Sequence, residues 1–399
     1  WKISGAIDVQ IIEEDGVITI SANVDWHGDE VLTVIVSDGL LSDTTSLLVT
    51  VESVNDAPEG FNLLGPDNNF LLTVSDITFD WNSTTDVDDL DLDTYLHLMT
   101  DAIDLGFAVD TESYTLNVFA QDLPYGEPIE WWVEVSDGDT STLSEIRRFT
   151  VSTDLYHNGP TWIVDLDGSD TNGNGSEIYP FGSIQHAHDV SADNDTIAVH
   201  VGTFYENILI DHSVNLIGSV VFGDRPVLDG GGNGGIITIG DNAALSIQDL
   251  IFSGGYRSDQ GGGAIYSSNG PLYVMDCEFI GNSAEEKGGA IKSESDDLLI
   301  KNCFFEDNHS LSSNGGALEI SGGLIDSCTF ISNTAGQSGG AINIEDFSTV
   351  SRSLFVENSA ELKGGAIYIA MTSADIMNNT IYNNQSNYGG GISTFNSSS

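Results

Sequence analysis

Apolar and polar positions in the C-terminal part of the chain return in a fixed order. Ile247, Val274, Ile300, Ile325, Val350 and Ile376 mark one aliphatic position. Three residues later stand Leu250, Cys277, Cys303, Cys328, Ser353 and Asn379, and two after those Phe252, Phe279, Phe305, Phe330, Phe355 and Ile381. From the second copy on, an amide follows at Asn282, Asn308, Asn333, Asn358 and Asn384. A glycine-rich phrase closes each unit, beginning at Gly262, Gly288, Gly315, Gly339, Gly364 and Gly389 and reading Gly-Gly-Ala-Ile with Leu318 and Gly391 as its variants. Successive starts are 26, 27, 24, 25 and 25 residues apart. A near-fixed period of this length is the signature of a solenoid.

No copy carries a sustained helical stripe. Each holds short alternating or β-branched runs broken by Gly, Asn and Ser, which predicts short strands and turns. One copy then makes one coil of a right-handed parallel β-helix, its strands stacked roughly 4.8 Å apart. Matching residues pile into columns, with Phe and Ile inside, Gly at corners and Asn bonding along its column. Cys303 and Phe305 share one parity but Ile300 has the other, so a bend is expected near Asn302 and at its equivalents.

The pairing of Phe-x-x-Asn with Gly-Gly-Ala-Ile, in register over about residues 245–395, resembles the chlamydial polymorphic outer membrane protein repeat, within the pectate-lyase-like β-helix class. That class includes adhesins, secreted surface proteins and carbohydrate-active enzymes, so the resemblance implies the fold more tightly than an activity.

Alternating strands also fill the N-terminal part. Val17–Ile20, Val31–Val36 and Ser46–Val51 read as strands of one β-sandwich over residues 1–57. Trp26-His27-Gly28, Val36-Ser37-Asp38-Gly39 and Val54-Asn55-Asp56-Ala57-Pro58 resemble bacterial cadherin-like repeats, which occur in tandem on secreted proteins. Residues 58–157 read as a second sandwich; Phe79-Asp80-Trp81, Tyr95–Leu98, Trp131–Gly138 and Phe149–Val151 are similar to fibronectin type III modules. Trp81 and one of Trp131 or Trp132 are expected in its core. Residues 158–399 form the β-helix, with 158–240 as its N-terminal cap and six glycine-rich repeats over 262–392. Phe181–Ala187 reads as a capping helix, which would cover the otherwise exposed interior of the first coil.

The chain has 399 residues, starts at Trp1 without Met and ends within a copy, so a piece of a longer secreted protein is expected. It has no run of 18 apolar residues, hence no expected membrane-spanning helix. Ten basic residues face 62 acidic ones, a formal charge of −52. Both parts share this acidity, which excludes nucleic acid and anionic membrane as partners and fits calcium binding or a surface solvated in salty water. Cys277, Cys303 and Cys328 share one column, which reads as a stack of small buried side chains, although adjacent coils leave a disulfide open.

The cadherin resemblance implies a calcium site. Its linker maps to Asn55 and Asp56, its Asp-x-Asp pair to Asp86 and Asp88, and its Asp-Gly turn to Asp137. Ca2+ takes 6–8 oxygen ligands, for which this set is suited. The acidic loop Asp165–Gly175 lacks a closing Glu at EF-hand spacing and reads as structural. Ser246-Ile247-Gln248-Asp249 is superficially similar to a pectin methylesterase phrase but fits an ordinary coil. His186 and His188 lie on the expected cap and His309 on a turn, outside any nucleophile motif. No catalytic set emerges. The reading is an extracellular adhesin or structural protein, its sandwich modules a stalk and its β-helix a binding arm for carbohydrate or a protein ligand. The alternative is a polysaccharide lyase or hydrolase.

Overall fold

The computed structural model describes residues 1–395 and contains two compact units, Trp1–Leu155 and the chain from Tyr156 onward.

In the first unit, Lys2–Ser4, Gly28–Ser37 and Ser42–Val51 form a three-stranded antiparallel sheet beside the hairpin Val9–Glu14/Val17–Ala22. Asp15 and Gly16 join the hairpin with φ of 51° and 81°, the two positive values that a tight primed turn requires and that Asp-Gly tolerates best. Two further sheets follow. Six strands make one: Phe70–Leu72, Asp93–Met99, Asp104–Ala108, Pro128–Ser136, Ser141–Leu143 and Arg147–Val151. Leu63–Gly65, Asp76–Trp81 and Ser113–Asn117 make the other. Phe79 of the smaller sheet meets Trp131 and Phe149 of the larger edge-on, at centroid distances of 4.8 and 5.7 Å. Trp81 and Trp131 are both buried, as expected, whereas Trp132 points away and stacks on His97 at 5.0 Å.

The second unit is a parallel β-solenoid. Its first sheet has nine strands from Thr161–Val164 to Ala374–Met377, all paired parallel. Second and third sheets of eight strands each run alongside, and a fourth of five two-residue strands starts at Tyr256–Arg257. In the coil from Leu272, Leu272–Met275 belongs to the first sheet, Glu278–Ile280 to the second, Ser283–Ala284 to the fourth and Ile291–Ser293 to the third.

Left-handed corners separate these strands. One falls at Asp249, Asp276, Asn302, Ser327, Arg352 and Asn378, with φ between 49° and 59°, which is the bend that the change of parity demands. The second falls on Gly281, Asp307, Ser332, Glu357 and Asn383. The third falls on the first glycine of each Gly-Gly phrase from Gly288 to Gly389, with φ from 60° to 70°. Only the third is always glycine. A Cβ on Gly315 would lie 2.2 Å from the carbonyl oxygen of Leu318, whereas one on Gly281 would meet nothing within 4 Å. The second glycine answers to the next coil: a Cβ on Gly316 would lie 2.0 Å from the carbonyl oxygen of Gly340.

Inside, the rings of Phe252, Phe279, Phe305, Phe330 and Phe355 stack at 4.8 Å with interplanar angles of 2–6°. Near-parallel rings at that spacing touch only when slipped sideways, the offset arrangement that the ring quadrupole prefers. Beside them runs the amide column. Each Asn side-chain NH2 donates to the Oδ1 of the next Asn, at 3.1 Å for Asn282–Asn308 and 2.9 Å for Asn308–Asn333, Asn333–Asn358 and Asn358–Asn384. The same NH2 groups donate to Phe carbonyls of the preceding coil, as Asn333 does to Phe305 at 3.0 Å. The three cysteines are buried and free, so the disulfide left open by their spacing is absent. Their thiols donate to backbone carbonyls such as Met275 and Lys301.

The capping helix spans Ile184–Val190, three residues later than the apolar pattern placed its start. The N-cap is Ser183, whose hydroxyl accepts from His186 N–H. Glu206 of the next coil accepts from the N–H groups of Ile184 and Gln185, satisfying two donors that a helix start leaves open.

Candidate functional sites

The five residues expected to hold calcium come together pairwise. Asn55 donates from Nδ2 to Asp137 Oδ2 at 2.9 Å, and Asp56 N–H donates to Asp88 Oδ2 at 2.9 Å. Asp88 N–H donates to Asp86 Oδ1 at 2.7 Å. Asp137 lies well below the usual carboxylate range, first because Thr140 N–H donates to it and then because Asn55 does. The remaining oxygen of Asp86, Oδ2, is buried and has no hydrogen-bond partner. Among the described residues, no three of these carboxylates converge within 4.8 Å. Asn55 turns its NH2, not its oxygen, toward the cluster.

Other sequence candidates are consumed by structure. Asp165 accepts from Asp167 N–H and pairs with His200 Nδ1 at 2.8 Å. Asp170 accepts from Gly182 N–H, Ser183 N–H and the Ser183 hydroxyl, so the acidic loop is tied to the start of the helix. Asp249 is a corner residue bonded by its neighbour Gln248. Burial pushes up the thiols of Cys277, to about 12, and of Cys303, which makes these two poor nucleophiles and poor metal ligands at neutral pH.

One constellation escaped the sequence reading. Directly after the repeated Ala-Ile or Ala-Leu pair, third-sheet strands carry a residue that varies from coil to coil: Tyr266 and Lys292, partly exposed, then Glu319, Asn343 and Tyr368, buried. Four of the seven basic residues beyond position 158 gather along this line. Arg257 and Lys292 lie over the Tyr266 ring at 5.8 and 5.3 Å, and Lys363 over Tyr368 and Phe395 at 5.7 and 4.5 Å. Lys287 pairs with Glu319 at 2.8 Å and also with Glu345. Burial pushes the Glu319 carboxyl up to about 8 against the pull of Lys287. Burial also acts on Glu345, but its contacts with Glu319 and Lys287 outweigh this and bring it below its ordinary value. Two adjoining carboxyls are thus held in different protonation states, an arrangement with acid–base potential. The sequence signal was variation itself directly after a position that is always Ile or Leu.

Stacked coils with parallel sheets on every side and a helix over the first coil define the class: a capped parallel β-helix. Within it, residues 276–294, 327–345 and 352–370 match the repeat of the Chlamydia polymorphic membrane protein family. The matched stretches run from the first-sheet corner through the Phe and Asn columns to the third sheet. This chain is therefore a β-helix built with repeats of that type, a type found in bacterial surface proteins. No curated protein matches the sequence significantly. Among the described residues, no helix is long and apolar enough to cross a membrane.

Proposed function

We propose that the chain is an extracellular or cell-surface display protein whose solenoid presents a ligand-binding face to carbohydrate or to a protein partner. One observation carries this reading. The inward columns hold the same residue coil after coil, while the third-sheet line varies, and at its start the partly exposed Tyr266 and Lys292 stand beside Arg257 over a rigid backbone. Aromatic rings with adjoining cations and hydroxyls suit sugar rings and polar protein surfaces alike. The test is binding of the full chain to a glycan array and to immobilised host-surface proteins, with product assays on the same polysaccharides. Saturable binding lost in Tyr266→Ala and Tyr368→Ala supports the reading; its absence from both panels, or turnover, overturns it.

The N-terminal modules serve in this reading as cadherin-like and fibronectin-like spacers stiffened by Ca2+. The unpartnered Asp86 Oδ2 and the all-oxygen donor set fit a hard cation. Asp56, Asp86 and Asp88 would hold it, with Asn55 and Asp137 joining as their mutual hydrogen bond opens. Calorimetric uptake at millimolar Ca2+, lost in Asp86→Asn, is the expected result, and no uptake would remove calcium from the account.

A second reading, a polysaccharide lyase or hydrolase, is favoured by the divergent carboxyls of Glu319 and Glu345. Reducing-end and unsaturation assays, with Glu345→Gln as control, distinguish it from display.

A further inference from the structure

The capping helix holds a histidine whose burial has no structural account. His188 is 1% exposed, and neither of its ring nitrogens has a hydrogen-bond partner. A buried donor or acceptor left unpaired costs about 1–3 kcal/mol, so native proteins rarely keep one without a reason. A carboxylate lies near each of these nitrogens. Nδ1 lies 3.7 Å from Asp189 Oδ1, and Nε2 lies 3.7 Å from Asp211 Oδ1.

Asp211 and His212 lie between strands Ile208–Ile210 and Val214–Gly218, one coil on from the helix. The His188 and His212 rings are 4.0 Å apart. The hydrogen bonds around His212 fix its tautomer. Ser191 uses its hydroxyl proton on the His188 carbonyl at 2.8 Å. Its oxygen is then left to accept from His212 Nε2 at 3.0 Å. With Nε2 protonated, a neutral His212 has a bare lone pair on Nδ1. That lone pair faces Asp211 Oδ1, itself an acceptor, at 3.0 Å. Two acceptors at that distance are held together either by a proton, as in an imidazolium–carboxylate pair, or by a metal ion.

We propose that His188 Nε2, His212 Nδ1 and Asp211 Oδ1 bind a divalent first-row transition ion, with Zn2+ as the tetrahedral case. One donor atom from each residue lies within 4.8 Å of the others. Donors about 2.0–2.1 Å from a tetrahedral ion stand roughly 3.4 Å apart, a separation bracketed by the two nitrogen–Oδ1 distances. Two imidazoles and one carboxylate suit such an ion better than Ca2+ or Mg2+, which prefer oxygen alone. Both outer nitrogens face groups that orient a liganding imidazole: Asp189 beside His188 Nδ1, and the Ser191 hydroxyl at His212 Nε2. His188 is buried, an environment that suits the neutral imidazole a ligand must be. Access runs past Asp211, whose side chain is 72% exposed. The ion would staple the helix to the coil that follows it, so the site acts on the cap of the solenoid.

The experiment titrates Zn2+ into the untagged, chelator-treated full chain, in a large excess of Mg2+ and Ca2+ to occupy the surface carboxylates. One tight Zn2+ per chain and a rise in Tm are expected, together with a tetrahedral ligand-field spectrum when Co2+ replaces Zn2+. Asp211→Asn and His212→Gln, at partly exposed positions, should abolish uptake while leaving the metal-free Tm in place. Ser191→Ala should weaken affinity about 10- to 100-fold, the usual loss when a ligand's orienting partner is removed. Absence of the tight site in the wild type overturns the proposal, since a proton then bridges Asp211 and His212. So does Zn2+ uptake that the Asp211 and His212 variants do not change.

Discussion

The two units bury their apolar residues by different rules. Around Phe79, Trp131 and Phe149 meet its ring edge-on at angles of 63° and 69°, and each contact occurs once. In the solenoid, the same ring sits on the same ring five coils deep, with angles of 2–6°. A core of unique contacts gives each residue its own shape requirement. A core made by translation gives each position a requirement set by copies of itself above and below. Substitutions should therefore be judged in the solenoid by what they do to the next coil, and in the first unit by what they do to one pocket.

Glycine offers the sharpest way to break this contrast. Gly340→Ala would place a methyl 2.1 Å from the carbonyl oxygen of Gly365 and 2.7 Å from the backbone of Ser359, both in the next coil. Neither can yield without spreading the stack, so a loss of at least about 3 kcal/mol is expected. Gly281→Ala puts a methyl into open space at a φ of 63° that Asp307 and Glu357 adopt in equivalent corners. It should cost only about 1 kcal/mol, the residue's own left-handed penalty. Urea unfolding followed by far-UV circular dichroism measures both. Equal losses would refute the idea that coil-to-coil contact, not backbone conformation, demands the second glycine.

The next contrast sets a column against a pocket. Asn333→Ala removes the acceptor of Asn308 N–H and three further buried hydrogen bonds, with Asn308 NH2 keeping the Phe279 carbonyl and Asn358 Oδ1 keeping the Asn333 N–H. A loss of about 3 kcal/mol follows from the cost of buried unpaired groups. Trp131 is larger and equally buried, yet its indole N–H has no partner. Trp131→Phe therefore removes packing without orphaning a polar group, and should cost about 1–2 kcal/mol. Denaturant midpoints that rank the two variants the other way would show that packing volume, not polar pairing, limits the solenoid.

The same contrast explains what the sequence disclosed. Columns could be read because translation copies a requirement into the sequence at every period. Even the bend at Asn302 followed from the parity of Ile300 against Cys303. Trp81 and one of Trp131 or Trp132 were legible as core, but the edge-on triad around Phe79 was not, because its partners come from strands far apart in sequence. The Lys287, Glu319 and Glu345 group and the His188, Asp211 and His212 group stayed hidden for the opposite reason. Each is assembled from variable or cap positions on different coils, where no residue type repeats and the period leaves no mark. Asn55, Asp56, Asp86, Asp88 and Asp137 came from a family likeness; the structure pairs them by hydrogen bonds without converging their carboxylates.

The smallest effect separates the units by sign. Above pH 6.5, Glu319 is a buried acid of the solenoid that should still hold its proton, with its carboxyl pushed up to about 8 from an ordinary 4.5. The folded unit then binds a proton that the unfolded chain has released, so stability falls as pH rises toward 8. Below 6.5 the depressed pKa of His188 acts the other way, because the unfolded chain gains that proton first. The window from 6.5 to 8 therefore isolates Glu319. The wild-type solenoid should lose about 1–2 kcal/mol across it, and Glu319→Gln, neutral at every pH, should lose none of this. In the first unit the shifted carboxylates go down. Thr140 N–H and then Asn55 hold Asp137 low, and Leu41 and Leu40 N–H groups hold Asp38 low. Their contribution is present above about pH 3.8 and fades only as acid protonates them, so that unit should be flat from 6.5 to 8. Unfolding midpoints at both ends of the window, tracked by tryptophan fluorescence for the first unit and far-UV circular dichroism for the solenoid, give the comparison. A slope that survives in Glu319→Gln, or one of equal size in both units, would assign the effect to the overall negative charge of the chain rather than to one buried carboxyl.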